Sequence, residues 1–487
     1  MPGPNVKNPG VQQGVLPLGS LPLLALILLL GLAIYVPTLG QWFTGDDFWF
    51  LRSSQSMPFW EYAGKAFDFR ETGTLPEFDR YRPLYPVVWK LQYEVFGLNS
   101  TGYHVVLLGL HLACITVVYL ISRRLFKLEW AALLAALIFA IHPAFAETVG
   151  PLWAGNRVFA TLPYLLSLLF FIRYAGSSGR AVSYSASILF FVIAMLMHST
   201  AITLVAVLPA YAFLLGGRPR DALRPTAWLP FAPFVLTAAV MIGIQVWVRS
   251  NLGVEEQFRF GWHQYSLYGH YFGVALFPIL VLDMEAWPVG IRAVLNIIEG
   301  LASLGVIVTG IFVATQHKRS LIGVFAVLWL LVALLPDSTL LFPVSGRVLY
   351  LPGPAFAILF VVAIVLLKGA VPERHLSRAR LVAFTALFLC LAGAIALTVH
   401  ATSSGQTGSI NRAFVNDLTD SIPELEPNST LYVVGAPLNL VVFDDSRLIA
   451  LVDLYYDQVE VRRIGLQEAA QVEVTLAEGD RIFRYER

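Results

Sequence analysis

Charge is the scarcest property of this chain. Only 13% of its 487 residues are Asp, Glu, Lys or Arg, and 57% are hydrophobic. Soluble domains carry roughly 25% charged and 45–50% apolar residues. The mean hydropathy is +0.68. This composition excludes a soluble globular protein, and most of the chain is expected to lie in lipid.

Cysteine and clustered positive charge are also scarce. The two cysteines, Cys114 and Cys390, both fall in long apolar runs. They are predicted to be small hydrophobic residues and not a disulfide or metal site, and they leave the redox compartment open. The net charge is +1 and no long basic run is present. Nucleic-acid binding depends on many phosphate contacts, so this class of partner is excluded.

Long apolar runs are what the chain has in abundance. The first follows a segment with a single charge, Lys7, and without a small-residue cleavage site, which predicts a retained signal-anchor helix. A spanning helix needs about 20 mostly apolar residues, and about eleven segments fit. They are Leu21–Val36, Tyr103–Ser122, Trp130–Ile141, Val158–Arg173, Val182–Met197, Ala201–Leu215, Ala227–Val248, Ile291–Ala314, Leu321–Leu335, Val348–Leu367 and Leu381–Val399.

Basic residues predict the orientation, because Lys and Arg are enriched in cytoplasmic loops. A cytoplasmic N-terminus places four basic clusters on the cytoplasmic side and the C-terminus outside. The segment Tyr265–Leu282 then begins and ends outside, and it is predicted to be re-entrant or interfacial. The four clusters are Arg123, Arg124 and Lys127; Arg218, Arg220 and Arg224; His317, Lys318 and Arg319; and Arg374, Arg378 and Arg380.

The first outer loop, residues 40–102, is too long to be a simple connection. Within it Leu84, Val87, Val88 and Leu91 recur at helical spacing, with Lys90 and Glu94 opposite. This pattern predicts an amphipathic helix that lies on the membrane.

After His400 the composition turns polar, and short β-type runs follow at Leu431–Val434, Leu438–Phe443 and Val459–Val461. We therefore predict a membrane domain over residues 1–400 and a small extracytoplasmic domain over 401–487. The fold class is an all-α polytopic membrane protein with a small α/β soluble C-terminal domain.

Two acidic residues follow the first span, in Thr44-Gly-Asp-Asp-Phe48. Charged residues in spans are rare and usually functional, and here polar groups gather at the outer helix ends, where a site is expected. Asp46 or Asp47 could act as a general base for an acceptor hydroxyl. The alternative is structural, since Asp is a favoured helix N-cap.

Three arginines each stand at the outer mouth of a predicted span: Arg82, Arg157 and Arg347. A guanidinium binds phosphate through two parallel hydrogen bonds and keeps its charge. Such donors would stabilise a lipid phosphate that leaves with developing charge. The alternative for each is that it reaches the lipid headgroups.

His142 and Glu147 lie in one short turn, His142-Pro-Ala-Phe-Ala-Glu147. They are close enough along the chain to orient each other or to share a metal. Because the spacing matches no tight metal motif, we predict orienting roles and no metal ligand. Dependence on a divalent metal is left open.

Several short motifs, read in order, resemble the protein O-mannosyltransferases, and in particular the transmembrane and tetratricopeptide-repeat members. The resemblance spans most of the chain, and it is the order of the motifs that is distinctive. The motifs are Arg82-Pro-Leu84, Phe96-Gly-Leu-Asn99, Gly102-Tyr-His104, His142-Pro143, Glu147, Gly155-Asn-Arg157, Leu335-Pro336, Leu341-Phe-Pro343 and Arg347-Val-Leu-Tyr-Leu-Pro352.

The resemblance implies a GT-C fold and specific roles for the site residues. An acidic catalytic residue in the first outer loop would be Asp46, with Asp47 beside it. Arg82 and Arg347 would hold the carrier phosphate. Glu147 and Arg157 would be the acidic and basic members of the turn between the third and fourth spans.

Two departures from the family matter. Relatives have Ser-Lys-Glu between the fifth and sixth spans, whereas this chain has His198-Ser-Thr200, so two charges are missing. The repeat domain is replaced by the small C-terminal segment. Neither the acceptor nor the sugar can therefore be carried over from the family, and the absent repeats favour a bacterial plasma membrane.

The combined hypothesis is an inverting glycosyltransferase. It would move a mannose-like hexose from a polyprenyl-phosphate carrier to a hydroxyl of a protein or glycan acceptor on the outer face of the membrane. The first alternative is a transporter or flippase of lipid-linked sugars, and the second is a scaffold whose tail binds a partner. Transporters repeat their halves and break helices at the midplane. Neither feature is visible here, and eleven spans exceed what an anchor needs.

Overall fold

The computed structural model describes residues 20–74, 80–176, 180–216, 222–252, 261, 263–276, 305, 320–338, 346–370, 405–441 and 444–485. Up to residue 370 the described chain is helical. The helices are α1 (Leu21–Tyr35), α2 (Asp47–Ser56), α3 (Phe59–Phe67), α4 (Leu84–Phe96), α5 (Ser100–Phe126), α6 (Glu129–Ile141), α7 (Ala146–Val149), α8 (Asn156–Ala175), α9 (Arg180–Met197), α10 (Leu204–Leu214), α11 (Ala232–Leu252), α12 (His263–Leu276), α13 (Ser320–Ser338) and α14 (Gly353–Ala370).

Nine of the eleven predicted spans coincide with apolar helices, which confirms a polytopic membrane protein. Among the described residues, five helical segments are long and apolar enough to cross a bilayer, and four shorter ones are apolar. The predicted spans Ile291–Ala314 and Leu381–Val399 lie outside the described residues, as does Cys390. The segment Tyr265–Leu282 is described only as far as residue 276, where it belongs to α12.

Close helix packing brings the site segments together. In α8 and α9 the hydroxyl of Ser167 donates to the carbonyl of Ser187, and that of Ser187 donates to the carbonyl of Ser167, each at 2.8 Å. Small residues of this kind let two helix backbones approach closely in a membrane. The pairing fixes how α8 and α9 lie side by side, and these two helices carry Arg157 and His198 at their ends.

The first outer loop contains α2, α3 and α4. The predicted amphipathic helix is present as α4, with Leu91 and Val95 exposed and Trp89 buried. The prediction that Lys90 lies on an outward polar face is wrong, because only 3% of it is exposed. Its ammonium donates to the carbonyl of Ser54 at 2.7 Å. That carbonyl belongs to the last turn of α2, where carbonyls lack helical partners and favour a cation.

The C-terminal segment begins with a helix over residues 405–421 (α15). A parallel three-stranded sheet follows, formed by β1 (Thr430–Val434), β2 (Glu460–Arg463) and β3 (Arg481–Arg484) in the order β2-β1-β3. Short helices connect the strands: α16 (Leu438–Val441), α17 (Ser446–Val452) and α18 (Leu466–Thr475). The expected small α/β fold is confirmed, whereas the predicted domain boundary at residue 400 lies outside the described residues.

Two of the three predicted β-runs are strands. The run Leu438–Phe443 is wrong, because residues 438–441 form α16 after the turn at Gly435, whose φ is +79°. Periodicity alone does not separate a short apolar strand from a short buried helix. The strand β3 was not predicted, since its four residues place two arginines around Ile482 and Phe483.

The C-terminal segment docks on the first outer loop. Arg52 of α2 forms an ion pair with Asp453 at 2.5 Å, and the amide of Gln55 donates to the carbonyl of Leu454 at 3.3 Å. Asn411 of α15 donates to the carbonyl of Phe43 at 3.3 Å. The C-terminal segment therefore lies against the chain on both sides of Asp46 and Asp47.

Candidate active site

The two aspartates follow a tight turn after α1. Gly45 has a φ of +54°, a conformation that favours glycine. Asp46 stands at the N-cap position of α2, but its side chain makes no capping hydrogen bond. The structural alternative for Asp46, a helix cap, is thus not what the geometry shows, and its carboxylate is directed elsewhere.

Asp46 pairs with a residue 401 positions away. The guanidinium of Arg447, in the first turn of α17, contacts its Oδ1 through Nε at 2.8 Å and through Nη2 at 2.6 Å. About a third of the Asp46 side chain is exposed. Arg447 also lies over the ring of Trp49, with its Cζ 5.2 Å from the ring centre. The carboxylate of Asp46 is therefore held at one oxygen by a guanidinium and stays partly exposed.

Asp47 has a different environment. Its side chain is 1% exposed, and its Oδ2 accepts a hydrogen bond from the backbone amide of Thr44 at 2.8 Å. Burial raises the pKa of Asp47 well above its ordinary value, and the neighbouring charge of Asp46 acts in the same direction. Of the two aspartates, only Asp46 presents its carboxylate at an accessible surface.

Arg157 is engaged with Asp337, which was not among the predicted site residues. Its Nη1 and Nη2 donate to the two carboxylate oxygens of Asp337 at 3.1 and 2.7 Å, and both side chains are 8% exposed. Asp337 is the one charged residue in the apolar run 321–338. A charge in such a run needs a partner, and that signal could have identified it. The pair joins the start of α8 to the end of α13.

Arg347 lies between Glu147 and Trp153. Its backbone amide donates to Glu147 at 3.4 Å, and its guanidinium lies over the ring of Trp153 at 4.7 Å. It makes no ion pair with any described residue. Burial, followed by repulsion from Arg157, lowers the pKa of Arg347 to about 10, while the charges of Glu147 and Asp46 oppose the shift. Arg347 is still protonated at neutral pH.

His198, one of the departures from the family, lies among arginines. It is 6% exposed, and its Nδ1 accepts from the amide of Thr200 at 3.3 Å and contacts the Thr200 hydroxyl at 2.9 Å. Burial and then the charges of four arginines lower its pKa well below the ordinary value. The ring is therefore neutral, with its proton on Nε2. The four arginines are Arg157, Arg82, Arg80 and Arg347.

Arg82 precedes α4 and is partly buried. Its carbonyl accepts from the amide of Tyr85 at 3.1 Å, and the hydroxyl of Tyr85 donates to the carbonyl of Leu152 at 3.3 Å. This contact ties the start of α4 to the segment before α8. The charge of Arg82 acts on His198 together with those of Arg157 and Arg347.

His142 and Glu147 have separate partners. The Nε2 of His142 lies 3.0 Å from the carbonyl of Ala275, and its Nδ1 accepts from the amide of Ala144 at 3.3 Å. Burial lowers the pKa of His142 to about 4, so the ring is neutral and donates from Nε2. Glu147 contacts Arg347 instead. Within the described ranges, no group of three or more His, Cys, Asp or Glu could hold a metal ion.

A family model described as dolichyl-phosphate-mannose-protein mannosyltransferase matches residues 81–244. The match covers Arg82, Glu147, Arg157 and His198, but it does not reach Asp46 or Arg347. About a third of the chain is therefore similar to this family by sequence.

Two named relatives extend this finding. Protein O-mannosyl-transferase TMTC2 of Mus musculus is 32% identical over 158 residues, which are 31% of this chain and 18% of that protein. Protein O-mannosyl-transferase TMTC1 of Homo sapiens is 25% identical over 340 residues, 58% of this chain and 38% of that protein. The chain thus aligns with less than two fifths of the length of either relative.

Two solved structures are also similar. The Archaeoglobus fulgidus oligosaccharyltransferase, solved with Zn and sulfate, has a TM-score of 0.49 at 13% identity, covering 90% of this chain and 62% of that one. ArnT from Cupriavidus metallidurans, bound to undecaprenyl phosphate, has a TM-score of 0.45 at 18% identity, covering 94% and 89%. Scores of this size identify neither a substrate nor a site residue. By its sequence motifs, its spans and its relatives, the chain resembles the protein O-mannosyltransferases.

Proposed function

We propose that this protein is a membrane glycosyltransferase that uses a polyprenyl-phosphate-linked sugar, a mannose-like hexose, as its donor. The observation that carries the proposal is that the carboxylate of Asp46 lies near enough to Arg347, one of the four arginines around His198, for their charges to interact. The charge of Asp46 acts on Arg347. A base and a cationic phosphate site in one place are what sugar transfer from a phosphate carrier requires.

The arginine cluster is the proposed site for the carrier phosphate. Buried cations are normally paired, and Arg347 has no carboxylate partner among the described residues, so a bound anion would complete its environment. Arg82 adds a second guanidinium, and the Nε2–H of His198 adds a neutral donor. Arg157 contributes with its charge offset by Asp337, so its proposed role is weaker than the sequence alone indicates.

In the proposed inverting step, Asp46 takes the proton of the acceptor hydroxyl. The hydroxyl oxygen forms a bond to the anomeric carbon while the bond from that carbon to the phosphate oxygen breaks. The electron pair leaves with the polyprenyl phosphate, whose growing charge is stabilised by the arginines. A positioned base contributes roughly 10²–10⁴ in rate. Glu147 is proposed to orient the segment of Arg347, and His142 to hold the turn that carries Glu147.

The test is sugar release by the purified full-length protein from a panel of radiolabelled polyprenyl-phosphate sugars. We expect Asp46→Asn to lose on the order of 10²-fold or more in turnover while binding the carrier, and Asp47→Asn to keep most of it. Asp68→Asn is the matched control. Asp68 lies in the same loop, has a similar exposure of 31% and also pairs with an arginine, Arg70, at 2.6 Å.

Two outcomes would contradict the proposal. Full turnover in Asp46→Asn with normal folding would exclude Asp46 as the base. Binding without turnover for every donor would favour the transporter or flippase, because the same arginines would then serve a lipid phosphate that is moved and not cleaved.

A further inference from the structure

The contact between Asp46 and Arg447 is one of several that hold the C-terminal segment against the first outer loop. Arg447 stands in the first turn of α17, where the helix dipole favours an acid and not a base. The docking of the C-terminal segment has other contacts, including the ion pair between Arg52 and Asp453. An arginine at this helix start, with its guanidinium on the carboxylate of Asp46, points to a role toward that carboxylate.

The geometry of the contact is one-sided. Both nitrogens of Arg447 converge on Oδ1 of Asp46, at 2.8 and 2.6 Å. No described residue hydrogen-bonds the other oxygen, Oδ2, and about a third of the side chain is exposed. A contact that blocked the carboxylate would engage both oxygens. This contact instead holds one oxygen and leaves the other for an acceptor.

Trp49 restrains Arg447 from the other side. It lies three residues after Asp46, so that α2 presents the carboxylate and the indole ring on one face. The guanidinium lies over this ring at 5.2 Å and is only 14% exposed. Because it is held between this ring and Asp46 and is largely buried, Arg447 has little freedom to follow a moving carboxylate.

We propose that Arg447 is a positioning residue for Asp46, through which the C-terminal segment becomes part of the catalytic unit. Arg447 fixes the carboxylate so that Oδ2 faces the acceptor hydroxyl, and it touches neither the sugar nor the phosphate. This inference rests on the proposed function, because it assigns to Asp46 the role of base.

The experiment compares Arg447→Gln and Arg447→Lys with Arg52→Gln in the full-length protein, using the most active donor of the radiolabelled panel. Arg52→Gln is the matched control, since it breaks an ion pair in the same interface without touching Asp46. We expect Arg447→Gln to lose on the order of 10²-fold in kcat, as a misplaced catalytic group does. The KM for the donor should change less than about threefold, because the phosphate site is untouched.

Arg447→Lys should recover part of the lost kcat, because a lysine restores the charge but not the two-point contact. Arg52→Gln should stay near the wild-type rate. An equal loss in Arg52→Gln and Arg447→Gln would overturn the proposal in favour of a purely structural interface. A wild-type or higher rate in Arg447→Gln would also overturn it, the higher rate indicating an inhibitory latch.

A second readout does not depend on activity. The melting temperatures of Asp46→Asn, Arg447→Gln and the double variant form a cycle, and coupling between the two sites supports the contact. Additive losses would overturn it. Wild-type protein that releases sugar from no donor would refute the proposed function as well, whereas active wild type with unchanged Arg447→Gln would refute only the role of Arg447.

Discussion

Asp46 and Asp47 are adjacent in the sequence, but their carboxyl groups lie in different environments. Asp46 faces Arg447 and the site, whereas Asp47 turns back to the amide of Thr44 and is 1% exposed. Because the first residues of a helix point in different directions around its axis, adjacent side chains meet different surroundings. Burial therefore disfavours ionisation of Asp47, which is why the proposed base is Asp46.

The burial of Asp47 predicts how the stability of the protein depends on pH. The pKa of Asp in an unfolded chain is about 3.9, and the pKa of Asp47 in the folded protein is higher. The folded state therefore binds more protons between these two values, and its stability falls as pH rises through them. We expect Asp47→Asn to melt at a higher temperature than wild type at pH 8, and the difference to close near pH 4.

The control for this measurement is Asp68→Asn. Hydrogen bonds from Arg70 lower the pKa of Asp68. Asp68 therefore stabilises the folded state above its unfolded pKa, and this stabilisation is lost as the pH falls. Its pH dependence is opposite to that of Asp47. If the melting temperatures of Asp47→Asn and wild type differed by the same amount from pH 4 to pH 8, the raised pKa of Asp47 would be contradicted.

At the scale of elements, the pairing of α8 with α13 depends on one buried ion pair. Removing one partner of such a pair typically costs about 3–5 kcal/mol, because the other charge is left without compensation, whereas replacing both by apolar residues is often neutral. We expect Arg157→Leu or Asp337→Leu alone to lower the melting temperature strongly, and the double variant to recover most of the loss.

Sugar release by the same variants separates two roles of Arg157. If Arg157 acts mainly by joining the helices, the double variant recovers activity together with stability. Recovered stability with lost donor binding would instead show that its guanidinium contacts the carrier phosphate directly. Ser167→Ala, which weakens the contact between α8 and α9 without touching a charge, serves as the control.

For the molecule as a whole, the proposed orientation places the N-terminus in the cytoplasm and the site outside. Trp60 of α3 is 81% exposed, and Leu223, in a predicted cytoplasmic loop, is 88% exposed. We expect a membrane-impermeant maleimide to label Trp60→Cys in intact cells, and Leu223→Cys only after permeabilisation. Wild-type protein with its two native cysteines is the control. The reverse pattern would invert the topology, and the bacterial plasma membrane remains a prediction.

The sequence by itself determined the membrane class, nine of the spans and the small α/β C-terminal segment. Apolar length and local periodicity are properties of neighbouring residues, so they can be read along the chain. The same reasoning located Asp46, Arg82, Arg157 and Arg347 at helix ends as candidates, and their roles stay proposals.

Only the tertiary structure decided which of these groups meet. Arg157 pairs with Asp337 across 180 residues, and Asp46 pairs with Arg447 across 401. Folding also buries Lys90 on the helix face where an outward charge was expected, and it places His198 among arginines. Ionisation and availability depend on burial and on charges brought close by folding. These quantities are set by contacts between distant segments, for which a single sequence carries no local signal.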